Sequence, residues 1–457
     1  MEPVVTQPSS IAVIDIGKTN AKVVLIRKGE QAAVRSTPNM VRRDGPYPHA
    51  DAERLWAFMR DSLRELAAAY GIDGISITTH GATAALLGKD DELVLPVLDY
   101  EHDGPEQVAA AYAASKPAFV ETLSPRLPNG LNLGAQLFWQ SRSFPEQFAA
   151  VTDILTYPQY WAWRLTGVKA SEATSLGCHT DLWSPESGTF SSLVEREGWR
   201  HLFPPLQPAA SVLGYLRAEI AADIGLAKGT PVTCGIHDSN ASLVPHLHAQ
   251  EAPFTIVSSG TWTVVMTVGG STASLDTESD SLANVDALGR PVPTARFMGG
   301  REFDILVPEP AEPSPEEINR VIGSEVMILP SFVPDVGPFP SGTGRWSVAS
   351  DTLTAGERTA AASLYLALLT EAAIGLCGAG RSVTIEGPLA RNPLYASALG
   401  ALLDVPVRTS GDATGTSLGA AMLFNLEAAT MPPGSPVEPL AVNGFANYAE
   451  RWREQAR

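Results

Sequence analysis

The chain has 457 residues, enough for two or three domains. Its 44% hydrophobic content excludes wholesale disorder, and a net charge of -18 argues against phosphate backbones and anionic membrane surfaces as partners. An anionic small molecule stays admissible, because a cleft can hold a local positive field or a bound cation. The three cysteines (Cys178, Cys234 and Cys377) are far apart and form no CxxC pair, so neither a disulfide framework nor a zinc site is expected. No basic stretch followed by an apolar run opens the chain, and the most apolar segment, 360–380, carries Thr370 and Glu371 near its middle. It reads as a buried helix rather than a membrane span, and a cytoplasmic setting is expected.

Residues 11–26 (IAVIDIGKTNAKVVLI) place two apolar runs around a polar turn, the pattern of a β-hairpin with Gly17 at the bend. Residues 254–268 (FTIVSSGTWTVVMTV) repeat the design around Gly260. Laying Gly17 on Gly260 puts Asp15 on Ser258 and Val23 on Met266, which suggests duplicated lobes facing a common cleft. Two unrelated hairpins would give the same pattern. Between the hairpins, 51–70 reads as an amphipathic helix, 74–79 (GISITT) as a buried strand, 145–165 as helix interrupted at Pro158, and 231–234 as a short strand. After the second hairpin, 307–316 reads as a loop. Then come a helix over 353–379, a strand over 383–386, a helix over 393–403, a strand over 405–409 and a lobe helix over 415–424. Such alternation means α/β layers. Residues 431–457 read as a tail packed on the outside.

Gly17-Lys18-Thr19 looks like the end of a P-loop, but Ala12 stands where that motif needs a glycine, and strands flank the segment on both sides. The turn still offers backbone N–H groups and hydroxyls to a phosphate. Asp15, at the end of a buried strand, could hold a hydrated Mg²⁺; a surface aspartate beside a turn is the plainer alternative. Gly235-Ile236-His237-Asp238-Ser239-Asn240 brings a histidine and a carboxylate to a helix start, where Asp238 could be a base or simply a cap. His80-Gly81 and 386–392 (EGPLARN) also follow buried strands, where open α/β sheets tend to bind ligands.

These segments together resemble the FGGY carbohydrate kinases, of the actin-like superfold. The run DIGKTNAK resembles that family's first phosphate loop, and 157–167 (YPQYWAWRLTG) its "DYLRWRLTG" stretch. Residues 225–232 (GLAKGTPV) with 235–238 (GIHD) are similar to "GL..GTPV..GGGD", which ends at the family's catalytic aspartate. Residues 259–261 (SGT) resemble the second phosphate loop, and 386–392 with 416–421 (TSLGAA) the adenosine segment and the helix after it. The matches run in family order over roughly residues 11–425. Lys18, Asn20 and Ala21 depart from the usual hydroxyl residues, Gln159 stands where Asp is common, and 98–101 (LDYE) replaces the "W.D.R" pattern of xylulose and glycerol kinases.

The resemblance implies an α/β protein of two actin-like (ribonuclease H-like) lobes with an interlobe active-site cleft. A sugar-binding lobe would span 1–243, a nucleotide-binding lobe 244–430 and the tail 431–457. It implies ATP-dependent phosphorylation of a sugar hydroxyl, a 6-deoxyketose such as L-rhamnulose or L-fuculose first, then a pentulose or polyol. Asp238 would be the base. Gly17, Lys18, Thr19, Asn20, Lys22, Gly260, Thr261, Gly300, Gly387 and Asn392 would hold ATP, and Asp15 would position Mg²⁺ through water. His80, Gly81, Tyr100, Glu101 and His237 would join Asp238 around the sugar. The expected partners are the sugar and ATP, with no nucleic acid and no membrane, and a homodimer is left open. An ATPase or sensor on the same fold, and an actin-like polymer subunit, are the rival readings.

Overall fold

A computed structural model describes residues 8–410, 415–428 and 434–456. The chain divides into two compact units. One comprises Met1–Ala249, Ala283–Pro291 and Thr414–Met431, the other Gln250–Leu282, Val292–Ala413 and Pro432–Arg457.

The first unit is built on a sheet in the order Val212–Tyr215, Pro231–Thr233, Gly74–Thr79, Ser10–Ile16, Asn20–Arg27, Glu30–Pro38. The last three strands form an antiparallel meander, while Gly74–Thr79 lies parallel to Ser10–Ile16 and Pro231–Thr233 parallel to Gly74–Thr79. A short strand, Ile236–His237, also pairs with Gly74–Thr79, setting His237 beside Thr79. The helix Ala52–Tyr70 buries Leu55, Met59, Leu63 and Leu66, spaced to form one face, and Asp51 caps it by accepting from Arg54 N.

The second unit repeats this plan. Pro291–Phe297, Thr263–Val268 and Phe254–Ser259 form the meander, Val383–Glu386 lies parallel to Phe254–Ser259, and Val407–Thr409 parallel to Val383–Glu386. The helix Ala355–Cys377 begins at a capping box between Thr354 and Glu357 and buries residues all round, Leu364, Leu366 and Leu368 included. It is long and apolar enough to cross a membrane, but it forms the centre of this unit's core.

Matching the two hairpins corrects the sequence alignment by one residue. Asp15 pairs with Lys22 in the first hairpin and Ser258 with Val264 in the second. The second turn is one residue shorter, so Val23 corresponds to Val265 rather than Met266.

Two further expectations change. Residues 145–165 are not one interrupted helix: a short helix Pro145–Phe148 is followed by the strand Val151–Thr156 and the helix Tyr157–Thr166. Pro158 lies in the first turn of that helix, where a missing N–H costs nothing. The helix Gly415–Met422 groups with the first unit, not with the lobe that precedes it in sequence. Gly419 lies so close to the Ala241 carbonyl that a Cβ would fall 1.9 Å from it, and Ser76 Oγ donates to the Ala420 carbonyl at 2.6 Å. The tail's expected start at 431 lies outside the described residues; its helix, Phe445–Gln455, packs one face against the second unit and leaves the other exposed. Phe445, Tyr448, Ala449 and Trp452 are buried in the second unit's core, with Trp452 Nε1 donating to the Ile328 carbonyl at 2.6 Å. Their i, i+3, i+4, i+7 spacing is the reason.

Candidate active site

In the first unit, the ends of three strands bring the expected side chains together. Asp15 ends the first strand. Its carboxylate accepts from Ser417 Oγ at 2.9 Å, across 402 residues of sequence. Burial pushes the Asp15 carboxyl above its ordinary range and the nearby Asp238 adds to this, against the Ser417 bond and the Lys22 charge. Gly17 shapes the turn, donating to the Asn20 carbonyl at 2.9 Å and accepting from Asn39 Nδ2 at 2.8 Å. Thr19, Asn20 and Lys22 are exposed.

Lys18 takes a different place from the rest of the turn. Its ammonium pairs with Asp99, lies 3.4 Å from Glu101, and stands 4.7 Å above the centre of the Tyr100 ring. It therefore sits among the expected sugar contacts rather than with the phosphate-loop residues. The His80 ring packs against Tyr100 and Tyr157 at 5.4 and 5.3 Å. Lys18, His80, Thr83, Asp99, Tyr100 and Tyr157 line a cavity of about 20 Å³, room for one water, well below a typical ligand site of roughly 300–1,000 Å³. Asp99, Thr83 and Tyr157 were not singled out in the sequence as site residues. Asp99 had a visible signal, since it directly precedes Tyr100; Tyr157 had none, because only the fold turns it towards His80.

Asp238 opens the short helix Asp238–Ala241. Its Oδ1 accepts from Ser239 N at 2.7 Å and lies 3.1 Å from His237 Nε2. Burial pushes the Asp238 carboxyl up, while the positive end of the His80 equilibrium and the Ser239 bonds pull it down. Burial pushes His80 down in turn, opposed by its bond to the Gly81 carbonyl. His237, only 5% exposed, is pushed down to about 4 by burial, so its ring is neutral near pH 7.

The second unit carries a site of another kind. Gly260, Thr261, Gly300, Phe303, Asp304, Pro388, Leu389, Arg391 and Asn392 line a cavity of about 350 Å³. Gly260 N donates to the Trp262 carbonyl at 2.8 Å, closing the second hairpin turn. Gly300 starts the helix Gly299–Leu306, and a Cβ there would fall 2.2 Å from the Gly260 carbonyl. Gly387 has φ +78° and would put a Cβ 2.0 Å from the Ser259 carbonyl. Asn392 caps the helix Pro393–Leu402 by accepting from Tyr395 N, and donates to Ser363 Oγ at 2.9 Å. Phe303 and Asp304 lacked a sequence signal apart from lying one helical turn after Gly300.

Residues 10–245 match the FGGY family of carbohydrate kinases, N-terminal domain, and residues 251–432 match carbohydrate kinase FGGY, C-terminal domain. The chain belongs to the FGGY family of carbohydrate kinases. A crystal structure of a carbohydrate kinase from Novosphingobium aromaticivorans is 35% identical, covers 99% of each chain and superposes with a TM-score of 0.91. The L-fuculokinase of Salmonella typhi is 26% identical over 276 residues, 57% of each chain. The L-xylulose/3-keto-L-gulonate kinase of Escherichia coli is 27% identical over 228 residues, 46% of this chain and 45% of that one. The aligned part thus spans about half the length of these curated relatives.

A metal held by protein groups alone does not fit: among the described residues no three His, Cys, Asp or Glu side chains gather for one. The half-buried Asp15 carboxylate, which among the described residues accepts from a serine hydroxyl and lies near a second carboxylate, does suit a hydrated Mg²⁺, which keeps several waters and takes its other ligands from phosphates.

Proposed function

We propose that this chain transfers the γ-phosphoryl group of ATP to a hydroxyl of a ketose, with Asp238 accepting the hydroxyl proton. The observation that carries the reading is the Asp238 carboxylate itself, anchored through Oδ1 on a helix start beside His80 and a second carboxylate, Asp15. A carboxylate used only as a cap would have no need of these neighbours. Phosphoryl transfer asks mainly for positioning and for charge neutralisation. The glycine-lined cavity of the second unit suits the nucleotide, where backbone can approach closely and Asn392 can face the base. Gly17, Thr19, Asn20 and Lys22 would meet phosphate, and Mg²⁺ near Asp15 would neutralise charge on it. Lys18, His80, Tyr100, Glu101 and Asp99 would meet the sugar, with Gly81 behind them.

The names of the relatives favour a ketose. L-fuculokinase, rhamnulokinase and L-xylulose kinase recur among them. L-Fuculose and L-rhamnulose come first, L-xylulose next. ADP release from ATP, measured with L-fuculose, L-rhamnulose, L-xylulose, D-xylulose and glycerol, tests the proposal. Sugar-dependent release, greatest with a ketose, is expected. Faster turnover of glycerol than of any ketose would sink the substrate class, and sugar-independent release would sink the kinase reading.

A further inference from the structure

The helix Gly299–Leu306 turns two faces to different surroundings. Gly300, Phe303 and Asp304, spaced i, i+3, i+4, line the cavity of the second unit. Glu302 and Leu306 fall on the opposite face and are buried, Glu302 to 1% exposure. The start of the helix packs against the second hairpin. A Cβ at Gly299 would fall 2.4 Å from Thr263 Oγ1, and one at Gly300 2.2 Å from the Gly260 carbonyl. A shift of this helix therefore reaches the cavity wall and the Gly260–Thr261 turn together.

Glu302 is bound through both carboxyl oxygens. From the central helix Ala355–Cys377, Tyr365 Oη donates to Oε2 at 2.5 Å. Val333 N donates to Oε1 at 3.4 Å. Ser331 Oγ lies 3.2 Å from the same Oε1, its one proton shared with the Val333 carbonyl at 2.7 Å. Tyr365 is itself fully buried, its ring edge-on to Trp452 with centroids 6.3 Å apart. Burial and the neighbouring Glu302 push its phenol well above the ordinary value, so it stays a donor. Burial likewise pushes the Glu302 carboxyl up, against the pull of its hydrogen bonds. Leu306 shows that an apolar side chain packs on this face without that cost. Apolar contact is non-directional, however, whereas hydrogen bonds to both oxygens fix where the helix stands.

We propose that Glu302 is a positioning residue for the nucleotide: tied to Tyr365 and to the 331–333 segment, it holds from the core side the helix whose other face lines the nucleotide cavity. The proposal rests on the reading of that cavity as the ATP site.

The test measures ADP affinity by titration calorimetry, with kcat and both KM values, in the full-length protein and in Glu302→Leu, Glu302→Gln, Tyr365→Phe and Gly300→Ala. Glutamine can still accept from Val333 N through its carbonyl and donate to the Tyr365 oxygen through its amide; leucine does neither. Both remove any charge, so the difference between them isolates the hydrogen bonds. Glu302→Leu should weaken ADP binding and raise KM for ATP by about 10- to 100-fold, the scale of a lost hydrogen bond to a charged group. Its KM for sugar and its kcat at saturating ATP should stay within about threefold of the parent. Tyr365→Phe should weaken ADP binding by about three- to tenfold, and Glu302→Gln should bind ADP within about threefold of the parent.

A carboxyl that serves stability alone would lower the melting temperature of Glu302→Leu and leave ADP affinity at the parent's value, or raise both KM values alike; either result overturns the proposal. So does ADP binding as weak in Glu302→Gln as in Glu302→Leu, because hydrogen bonding is then not what counts. Should Glu302→Leu fail to fold, Tyr365→Phe decides, since it loses one O–H and keeps the ring: weakened ADP binding supports the proposal and unchanged binding ends it. Gly300→Ala separates the proposal from the reading beneath it. Weaker ADP binding there, with none in the Glu302 and Tyr365 variants, ends the proposal alone. Unchanged binding in Gly300→Ala as well ends the reading of this cavity as the ATP site.

Discussion

The two units share a sheet plan but build their sites from different material. In the first, every key position is a side chain with a charge or a proton to place: Asp15, Lys18, His80, Asp99, Asp238, each held by a named partner. In the second, glycines help shape the cavity: Gly260 and Gly300 line it and Gly387 precedes its lining residue Pro388, with contacts too tight for a Cβ at Gly300 and Gly387. Under the proposed function, the difference matches what each site would recognise. A hydroxyl to be deprotonated needs an aimed lone pair, whereas a polyphosphate needs N–H groups and close approach, which any glycine turn of the right shape supplies. Substitutions should therefore act on the first site through chemistry and on the second through shape.

The largest effect is expected at Asp238. Asparagine keeps its size and caps a helix about as well, yet cannot take up a proton. Asp238→Asn should lower kcat by about 10²–10⁴-fold while KM for ATP barely moves. Near-normal kcat in a folded variant would reduce Asp238 to a cap and erase the contrast between the two sites.

How much of this was legible beforehand also divides by region. The paired hairpins, the strand 74–79 and the loop 386–392 could be read because apolar runs and glycines mark them directly. Among the site residues that escaped notice, two are supplied by distant chain: Ser417, which reaches Asp15 across 402 residues, and Tyr157, which the fold turns onto His80. Lys18 was read with the phosphates because it sits in a phosphate-like turn, but Asp99 draws it away. The C-terminal helix was read as helical, but the core face that Phe445, Tyr448, Ala449 and Trp452 carry in plain sequence was not.

Shape dependence in the second unit is tested next at Gly300. An alanine Cβ would meet the Gly260 carbonyl at 2.2 Å, so the helix start or the turn must shift. Overpacking of this kind costs about 1–3 kcal/mol, and Gly300→Ala should raise KM for ATP by roughly 10- to 100-fold. KM for sugar should stay within about twofold of its original value. Equal changes in both would show that the two sites are not separable in this way.

Lys18 sharpens the comparison from the first unit. Lys18→Met removes the charge from Asp99, Glu101 and the Tyr100 ring while keeping most of the stem. KM for sugar should rise by about three- to tenfold, the scale of one partly exposed ionic contact, and KM for ATP should change less. A larger rise for ATP would return Lys18 to the phosphates, as its place in the turn first suggested.

The smallest effect concerns Glu172, a fully buried carboxyl behind His237 that uses no catalytic chemistry. It accepts from Thr174 N and Oγ1 at 2.8 and 2.6 Å and from Ser175 N and Oγ at 3.1 and 3.2 Å, yet burial outweighs these bonds and pushes it up to about 7. The folded protein thus holds a proton that the unfolded chain, with an ordinary value of 4.5, has already released. Stability from this group is present below 4.5 and declines as pH rises towards and through 7, by about 1 kcal/mol between pH 6 and 7. His237 acts in the opposite sense and in an overlapping window, because its pKa falls from 6.5 to about 4, so it withdraws stability as pH drops below about 7 and offsets part of the Glu172 decline between pH 6 and 7. Thermal unfolding followed from pH 6 to 7 should therefore show a stability slope in the parent more negative than in Glu172→Gln by about 1 kcal/mol over that range, the His237 contribution being common to both. The glutamine loses acceptor capacity and should lower the melting temperature at both pH values, so the slope, not the height, carries the answer. An unchanged slope would mean that Glu172 is ionised in the folded protein throughout, and that its four donors outweigh its burial.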